Sequence, residues 1–262
     1  MEHAAGLGPI PDPERLGGFA WTRRTNGALN GAERRRLLPV IAAGQWDYMV
    51  GRAKLMLGRV PARAAAIDVA TFSPPDSALA REAEAACEEL SPLIVGHSYR
   101  TWLFGHALAR LDRVDLEPEQ FYCASLLHDY GIAESVAGQD FTLRSAERAI
   151  ACVTQAGADP SVGAAVADAI CVHPTPGATV ERDGPVGCYV QAGAVVDAGL
   201  RLGDITRRNR EVVFARHPRG AHFKDEFATL IRGEAEAVPR GRFALLTRLG
   251  FALLVRIAPI RD

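Results

Sequence analysis

The sequence predicts an all-α protein, and three observations carry that prediction. Alternating β-branched runs joined by hairpin turns are nearly absent. Apolar residues recur instead every three or four positions through most of the chain. The punctuation is that of helices, with Pro just inside a start, Ser or Asp just before it and Gly just past an end. With 262 residues, 48% of them apolar, the chain has material for one large domain with appendages.

Taken in order, residues 1 to about 30 are rich in Gly, Pro and polar groups without a period, which predicts an extended or poorly ordered arm. From Ala32 to Leu57 the pattern turns helical, with Leu37, Leu38, Val40, Ile41, Trp46, Met49 and Val50 interleaved with arginines. This reads as an N-terminal helical pair packed on the main domain. The string Thr71-Phe72-Ser73-Pro74-Pro75-Asp76 breaks the pattern. The expected division is therefore an arm and helical extension over 1–72, a core domain over 73–245 and a C-terminal apolar helix over 246–262.

Within the core, Asp76 or Ser77 caps a helix through Glu89. Ser91-Pro92 opens the next, whose apolar stripe runs through Leu93, Ile94, His97, Thr101, Phe104, Leu108 and Leu111. Pro118 to His128 is the third, with Gly131 placed for a left-handed cap. Thr142 to Gln155 is the fourth, closed by Gly157; Asp159-Pro160 to Val172 is the fifth, stopped at His173-Pro174. Pro185 to Leu202, rich in small residues, is the sixth. Phe243 to Ile260 is strongly apolar, but Arg248 and Arg256 interrupt it, so a packing helix is expected rather than a transmembrane span. Its exposed face is a candidate surface for a homo-oligomer, with binding at a membrane surface as the other reading.

Composition narrows the function classes. A net charge of −1 offers no global attraction for nucleic acid or an anionic membrane. Five cysteines, an odd number without a CxxC pair, read as buried reduced thiols, and no basic-then-apolar leader opens the sequence. Both point to a cytoplasmic protein whose partner is a small molecule.

Four polar side chains stand out because their surroundings are apolar. His128 and Asp129 are adjacent at the end of a short helix, where an imidazole nitrogen and a carboxylate oxygen make half a site for a divalent cation. A helix-capping histidine is the alternative. His97 lies on an apolar stripe, where an unpartnered ring is costly to bury. Asp197 sits in Gln191-Ala192-Gly193-Ala194-Val195-Val196-Asp197, where a bare carboxylate needs a partner and Arg201, one turn on, is the nearest candidate. His106 falls on the helix face opposite His97 and is set aside.

The order His97, then His128-Asp129, then Asp197, each on its own helix, resembles the HD-domain metal-dependent hydrolase superfamily. The strings that carry the resemblance are Gly96-His97-Ser98-Tyr99-Arg100-Thr101-Trp102, Leu126-Leu127-His128-Asp129-Tyr130-Gly131 and Val195-Val196-Asp197. It implies an HD-domain helical bundle in which His97, His128, Asp129 and Asp197 hold one divalent ion, zinc foremost with manganese, iron or nickel as alternatives, that activates water. A narrower resemblance, to cyanamide hydratase-like members, rests on His97-Ser98-Tyr99-Arg100, on Asp168-Ala169-Ile170-Cys171-Val172-His173 and on the stretch from His217 to Phe227. It extends from about Ser73 to about Leu245 and implies water addition to a small nitrile- or cyanamide-like substrate. Where that subfamily has an aromatic-acidic pair after the HD loop, this chain has Asp140-Phe141-Thr142-Leu143.

Two further roles follow. His173 is the candidate proton shuttle or substrate hydrogen bond, with a helix cap as its alternative. Arg100, one turn past His97, either binds an anionic substrate or orients Asp197. A phosphohydrolase acting on a phosphomonoester or nucleotide is the alternative activity and requires basic side chains aimed at the metal, for which Arg100, Arg144 and Arg201 are the candidates. A non-catalytic binding module requires a lost ligand. A dinuclear-iron oxygenase requires two more histidines between Asp129 and Asp197, where only His173 stands, so a single ion is expected.

Overall fold

A computed structural model describes residues 15–262. Among the described residues the regular structure is helical, with one isolated bridge between Val136 and Gln139 and no sheet. The all-α expectation holds. The helices are α1 (Phe19–Thr25), α2 (Gly31–Met56), α3 (Ala78–Cys87), α4 (Pro92–Asp112), α5 (Pro118–Leu127), α6 (Phe141–Gln155), α7 (Pro160–Val172), α8 (Val180–Asp183), α9 (Pro185–Ala194), α10 (Arg207–Arg216), α11 (Phe223–Ala237), α12 (Arg242–Arg248) and α13 (Phe251–Arg256).

Most starts lie where the sequence signals them. The Ser77 hydroxyl accepts from Ala80 N at 3.1 Å, and Pro92, Pro118 and Pro160 each sit in a first turn, where the missing N–H has no intrahelical partner to lose. Asn30 and Glu33 form a reciprocal capping box at the head of α2.

Several expectations are corrected. Residues 15–30 are not an arm: they include α1, whose Trp21 is 1% exposed and donates to Glu33 at 2.9 Å, while residues 1–14 lie outside the described chain. The region 32–57 is one helix, not a pair, and runs through Pro39. Gly131 has no positive φ. It sits in a 3-10 turn whose backbone touches α6, and a Cβ there would meet the Phe141 carbonyl oxygen at 2.1 Å. The sixth core helix ends at Ala194, so Asp197 lies in the following turns rather than mid-helix. The C-terminal apolar segment is two short helices, broken at Gly250 with φ 93°.

The main core joins α3 to α7 and α9, with α4 packed most extensively on α9. That pair approaches backbone to backbone. A Cβ on Gly193 would lie 2.1 Å from the Thr101 carbonyl oxygen, and one on Gly105 would lie 2.4 Å from that of Tyr189. The termini close over the core: Trp21, Leu29, Leu37, Ile41 and Leu245 share one cluster, so the N-terminal extension and α12 pack on each other. Arg242 of α12 is buried, pairs with Asp140 at 2.9 Å and donates to Cys171 O and Thr175 Oγ1 at 2.5 and 2.9 Å. From α11, Glu234 accepts from Phe141 N at 3.1 Å. Burial, with Asp140 nearby, pushes its carboxyl from the usual 4.5 up to about 8.

Two outcomes follow. Gly193→Ala is expected to cost about 1–3 kcal/mol through overpacking, read as a lower urea midpoint. Because the folded Glu234 keeps its proton to a higher pH than the unfolded one, stability falls as pH rises from about 4.5 to about 8. Glu234→Gln should remove that decline, gaining on the wild type between pH 5 and pH 8 by no more than about 5 kcal/mol, a difference that melting curves at the two pH values would reveal.

Candidate metal centre

His128 and His173 are built alike. Each is the C-cap of a helix, α5 and α7, with φ, ψ of −56°, −37° and −55°, −37°. Each ring turns back so that Nδ1 meets the carbonyl three residues earlier, Ser125 O at 2.8 Å and Ile170 O at 2.6 Å. On α4, His97 Nδ1 meets Asp197 Oδ2 at 2.8 Å. Carbonyl and carboxylate oxygens only accept, so each Nδ1 carries the hydrogen in the neutral ring and each Nε2 is a bare lone pair.

All three bare nitrogens face Asp129. His97 Nε2 and His128 Nε2 lie 3.5 and 3.3 Å from Oδ2, and His173 Nε2 lies 3.6 Å from Oδ1. The four side chains are buried, and His128 Nε2 has no hydrogen-bond partner among the described residues. These separations exceed a normal N–H···O distance, and lone pairs facing a carboxylate repel unless a cation lies between them. A tetrahedral ion with bonds of about 2.0–2.1 Å holds its ligands roughly 3.3–3.4 Å apart. The ligand atoms of His97, His128 and Asp129 all lie within 4.8 Å of one another, so this buried N,N,O set fits a borderline divalent ion.

Without a cation the buried groups lean on one another, His128 and Asp129 most strongly. Burial pushes the Asp129 carboxyl up, but the His128, His173 and His97 rings outweigh it and hold the group well below the usual carboxylate range. Burial lowers His97 and His173. For His128 burial is outweighed by Asp129, and the ring is raised.

Asp197 is beside the centre but not turned into it. It accepts His97 Nδ1 on the side of the ring away from Asp129, and Arg100 Nε donates to its two oxygens at 3.1 and 2.9 Å. Arg201, the partner expected from sequence, pairs with Asp112 and Asp204 instead. Of the two roles open to Arg100, the structure places it in the second. Its guanidinium is buried, lies 4.9 Å from the Phe223 ring and donates to His217 O and Pro218 O at 3.1 and 3.3 Å. It is a positioning residue, and Gly96 leaves room for it, since a Cβ there would lie 2.9 Å from Arg100 Nη1. His106 stacks on Phe72, away from the site.

The centre forms the floor of a cavity of about 230 Å³. Its walls include Val40, Ile41 and Gly44 of α2, Phe227 of α11 and Leu249 and Leu254 around α13, and among the described residues no Lys or Arg lines it. Gln45 ties α2 to the C-terminal segment by donating to Leu249 O at 2.5 Å. Gln191 donates to His173 O and Thr175 O at 2.5 and 2.8 Å, fixing the turn after α7. Pro176 and Gly177, in the turn after α7, complete the walls, whereas His217 and Pro218 support Arg100 from behind. The contribution of the two terminal segments was missed. Its trace in the sequence is the pair Leu37 and Ile41, which read as generic helix packing. No protein-family model and no curated protein matches the chain.

Removing the charge of Asp197 isolates a buried guanidinium. Asp197→Asn is expected to cost about 3–5 kcal/mol, measured by denaturant unfolding.

Proposed function

We propose that this protein is a metal-dependent hydratase or hydrolase of the HD type, in which His97, His128 and Asp129 hold one divalent ion, zinc first among the candidates, and a small uncharged substrate occupies the cavity above it. The observation that carries this reading is the convergence of bare, buried imidazole nitrogens on Asp129 at spacings suited to a shared cation. A cation held there supplies Lewis acidity, bringing the pKa of water from about 15.7 toward 7.

The chain's own groups have separable tasks. Asp197, fixed by Arg100, holds the His97 ring and its tautomer. His173, pinned through Nδ1, keeps a lone pair at the floor of the cavity and takes the proton of the adding water. With a nitrile- or cyanamide-like substrate, the water oxygen bonds to the nitrile carbon and its protons pass to nitrogen. The product is an amide or urea, and nothing leaves. The apolar walls exclude bulk water and suit an uncharged molecule.

The cavity counts against phosphomonoester hydrolysis. Arg100 is committed to Asp197, Arg201 to Asp112 and Asp204, and Arg144 donates to the Gly131 and Glu134 carbonyls at 2.7 and 2.9 Å. No cation among the described residues lines the cavity to receive a phosphate.

Elemental analysis of the purified protein is the first test, with close to one equivalent of a transition metal expected. His128→Ala should remove it, and a variant that kept stoichiometric metal would refute the ligand assignment. His173→Ala should keep the metal and lower turnover by about 10²–10⁴-fold. Offered cyanamide and an aryl phosphate in parallel, the loaded protein should form the urea-type product without releasing phosphate.

A further inference from the structure

The outer face of α2 is apolar where a solvated helix would be polar. At about 100° per residue, Leu38, Ala42, Trp46, Met49, Ala53, Met56 and Leu57 fall within an arc of roughly 100°. Trp46 is 70% exposed and Met56 82%, and among the described residues nothing covers them. The buried face of the same helix is separate and carries Leu37, Ile41 and Tyr48. On the neighbouring α13, Leu253 is also exposed, and Arg52 Nη1 donating to Ile257 O at 2.8 Å holds the end of that segment against α2.

The charges around the stripe are one-sided. Between residues 31 and 63 there are seven basic residues, Arg34, Arg35, Arg36, Arg52, Lys54, Arg59 and Arg63, against Glu33 and Asp47. Glu33 is engaged by the Trp21 indole and the Asn30 backbone. On a helical projection Arg34 borders one edge of the stripe, beside Arg52, which is held by Ile257 O and Tyr48 Oη, Arg36 and Lys54 border the other, and Arg35 stands at its head. Apolar residues on one line, Trp among them, with long cationic side chains reaching outward on both flanks, are what an interfacial helix needs on anionic lipid.

We propose that the outer face of α2 docks on a phospholipid surface bearing anionic headgroups, with Trp46, Met49 and Met56 entering the interface and the flanking basic residues meeting the headgroups. A second copy of this chain fits less well for two reasons. A stripe about 28 Å long on a helix about 10 Å wide offers roughly 300 Å², against about 800 Å² per partner in a stable protein interface. In either helix orientation, a self-pair also sets Arg34, Arg35 and Arg36 against another basic cluster. Docking would lay on the membrane the helix whose other side walls the cavity, and it stands whether or not the centre is an enzyme.

The test is cosedimentation of the full chain with phosphatidylcholine vesicles, with and without about one-third phosphatidylglycerol. Binding should favour the anionic vesicles at least tenfold and weaken as salt is raised. Trp21 and Trp102 are buried, so a blue shift in emission on binding reports Trp46. Trp46→Ser with Met56→Ser, and separately Arg35→Glu with Arg36→Glu, alter exposed side chains and should leave the melting temperature unchanged while lowering anionic-vesicle partitioning about tenfold or more. Absence of vesicle binding would overturn the proposal, as would binding indifferent to Trp46 and Met56. So would a stable dimer in light scattering that the Trp46/Met56 variant dissociates.

Discussion

A buried imidazole is useful as a ligand only if its other nitrogen is occupied, and that constraint organises this structure. Left to rotate, a histidine in an apolar core would satisfy whichever nitrogen found an acceptor first. Here Ser125 O, Ile170 O and Asp197 claim the three Nδ1 positions. Each claim comes from an element that is rigid for independent reasons. Two are the last turns of helices whose carbonyls lack an intrahelical donor. The third is a carboxylate clamped by Arg100, which is itself held by two backbone carbonyls. What remains pointing inward is three ring nitrogens and one carboxylate, a donor set that could hold a cation.

The packing serves the same end. The α4–α9 contact sets the distance between His97 and the turn bearing Asp197, and it closes only because Gly105 and Gly193 put no Cβ between the backbones. Gly131 does the equivalent job for the turn after Asp129, allowing it to lie on α6. The roof comes from the two ends of the described chain. Arg242 reaches from α12 to Asp140, Cys171 and Thr175, joining the C-terminal segment to the turn that follows His173. The segments that look like appendages in the sequence thus enclose the cavity.

The helices were largely legible because their starts are written locally, as at Ser77, Pro92, Pro118 and Asp159-Pro160. Their ends were less so. Nothing between Pro185 and Leu202 marks the stop at Ala194; there the chain turns so that Asp197 meets His97 and Arg100 on α4, partners distant in sequence. The same distance explains the partial reading of the centre. Residue type and apolar context pick out His97, His128, Asp129 and His173, but not which ring nitrogen faces inward. Asp197 was legible as a carboxylate in need of a partner; its partners on α4 were not. The packed helix at residues 19–25 was hidden for another reason: its short run of arginines and threonines has no apolar period, and it is fixed by burial of Trp21 and Thr22 and by the Phe19 N–H donating to Asp168, a partner distant in sequence.

The distribution of positive charge bears most directly on chemistry. All but two of the 30 basic residues are arginine, and the guanidinium groups near the site are already committed to oxygen atoms of the scaffold. Arg100 is bound to Asp197, Arg144 to two carbonyls and Arg242 to Asp140 and Cys171 O. Releasing any of them to greet an anion would strand a buried carboxylate or carbonyl, at a cost of about 1–3 kcal/mol or more for each unpaired group. A phosphate entering an apolar cavity under those conditions would lose its hydration with little to replace it. A small neutral molecule with one electrophilic carbon loses almost nothing on entry and meets, at the floor, one carboxylate and three nitrogen lone pairs. The apolar walls and the committed guanidinium groups thus support the proposed uncharged substrate over an anion.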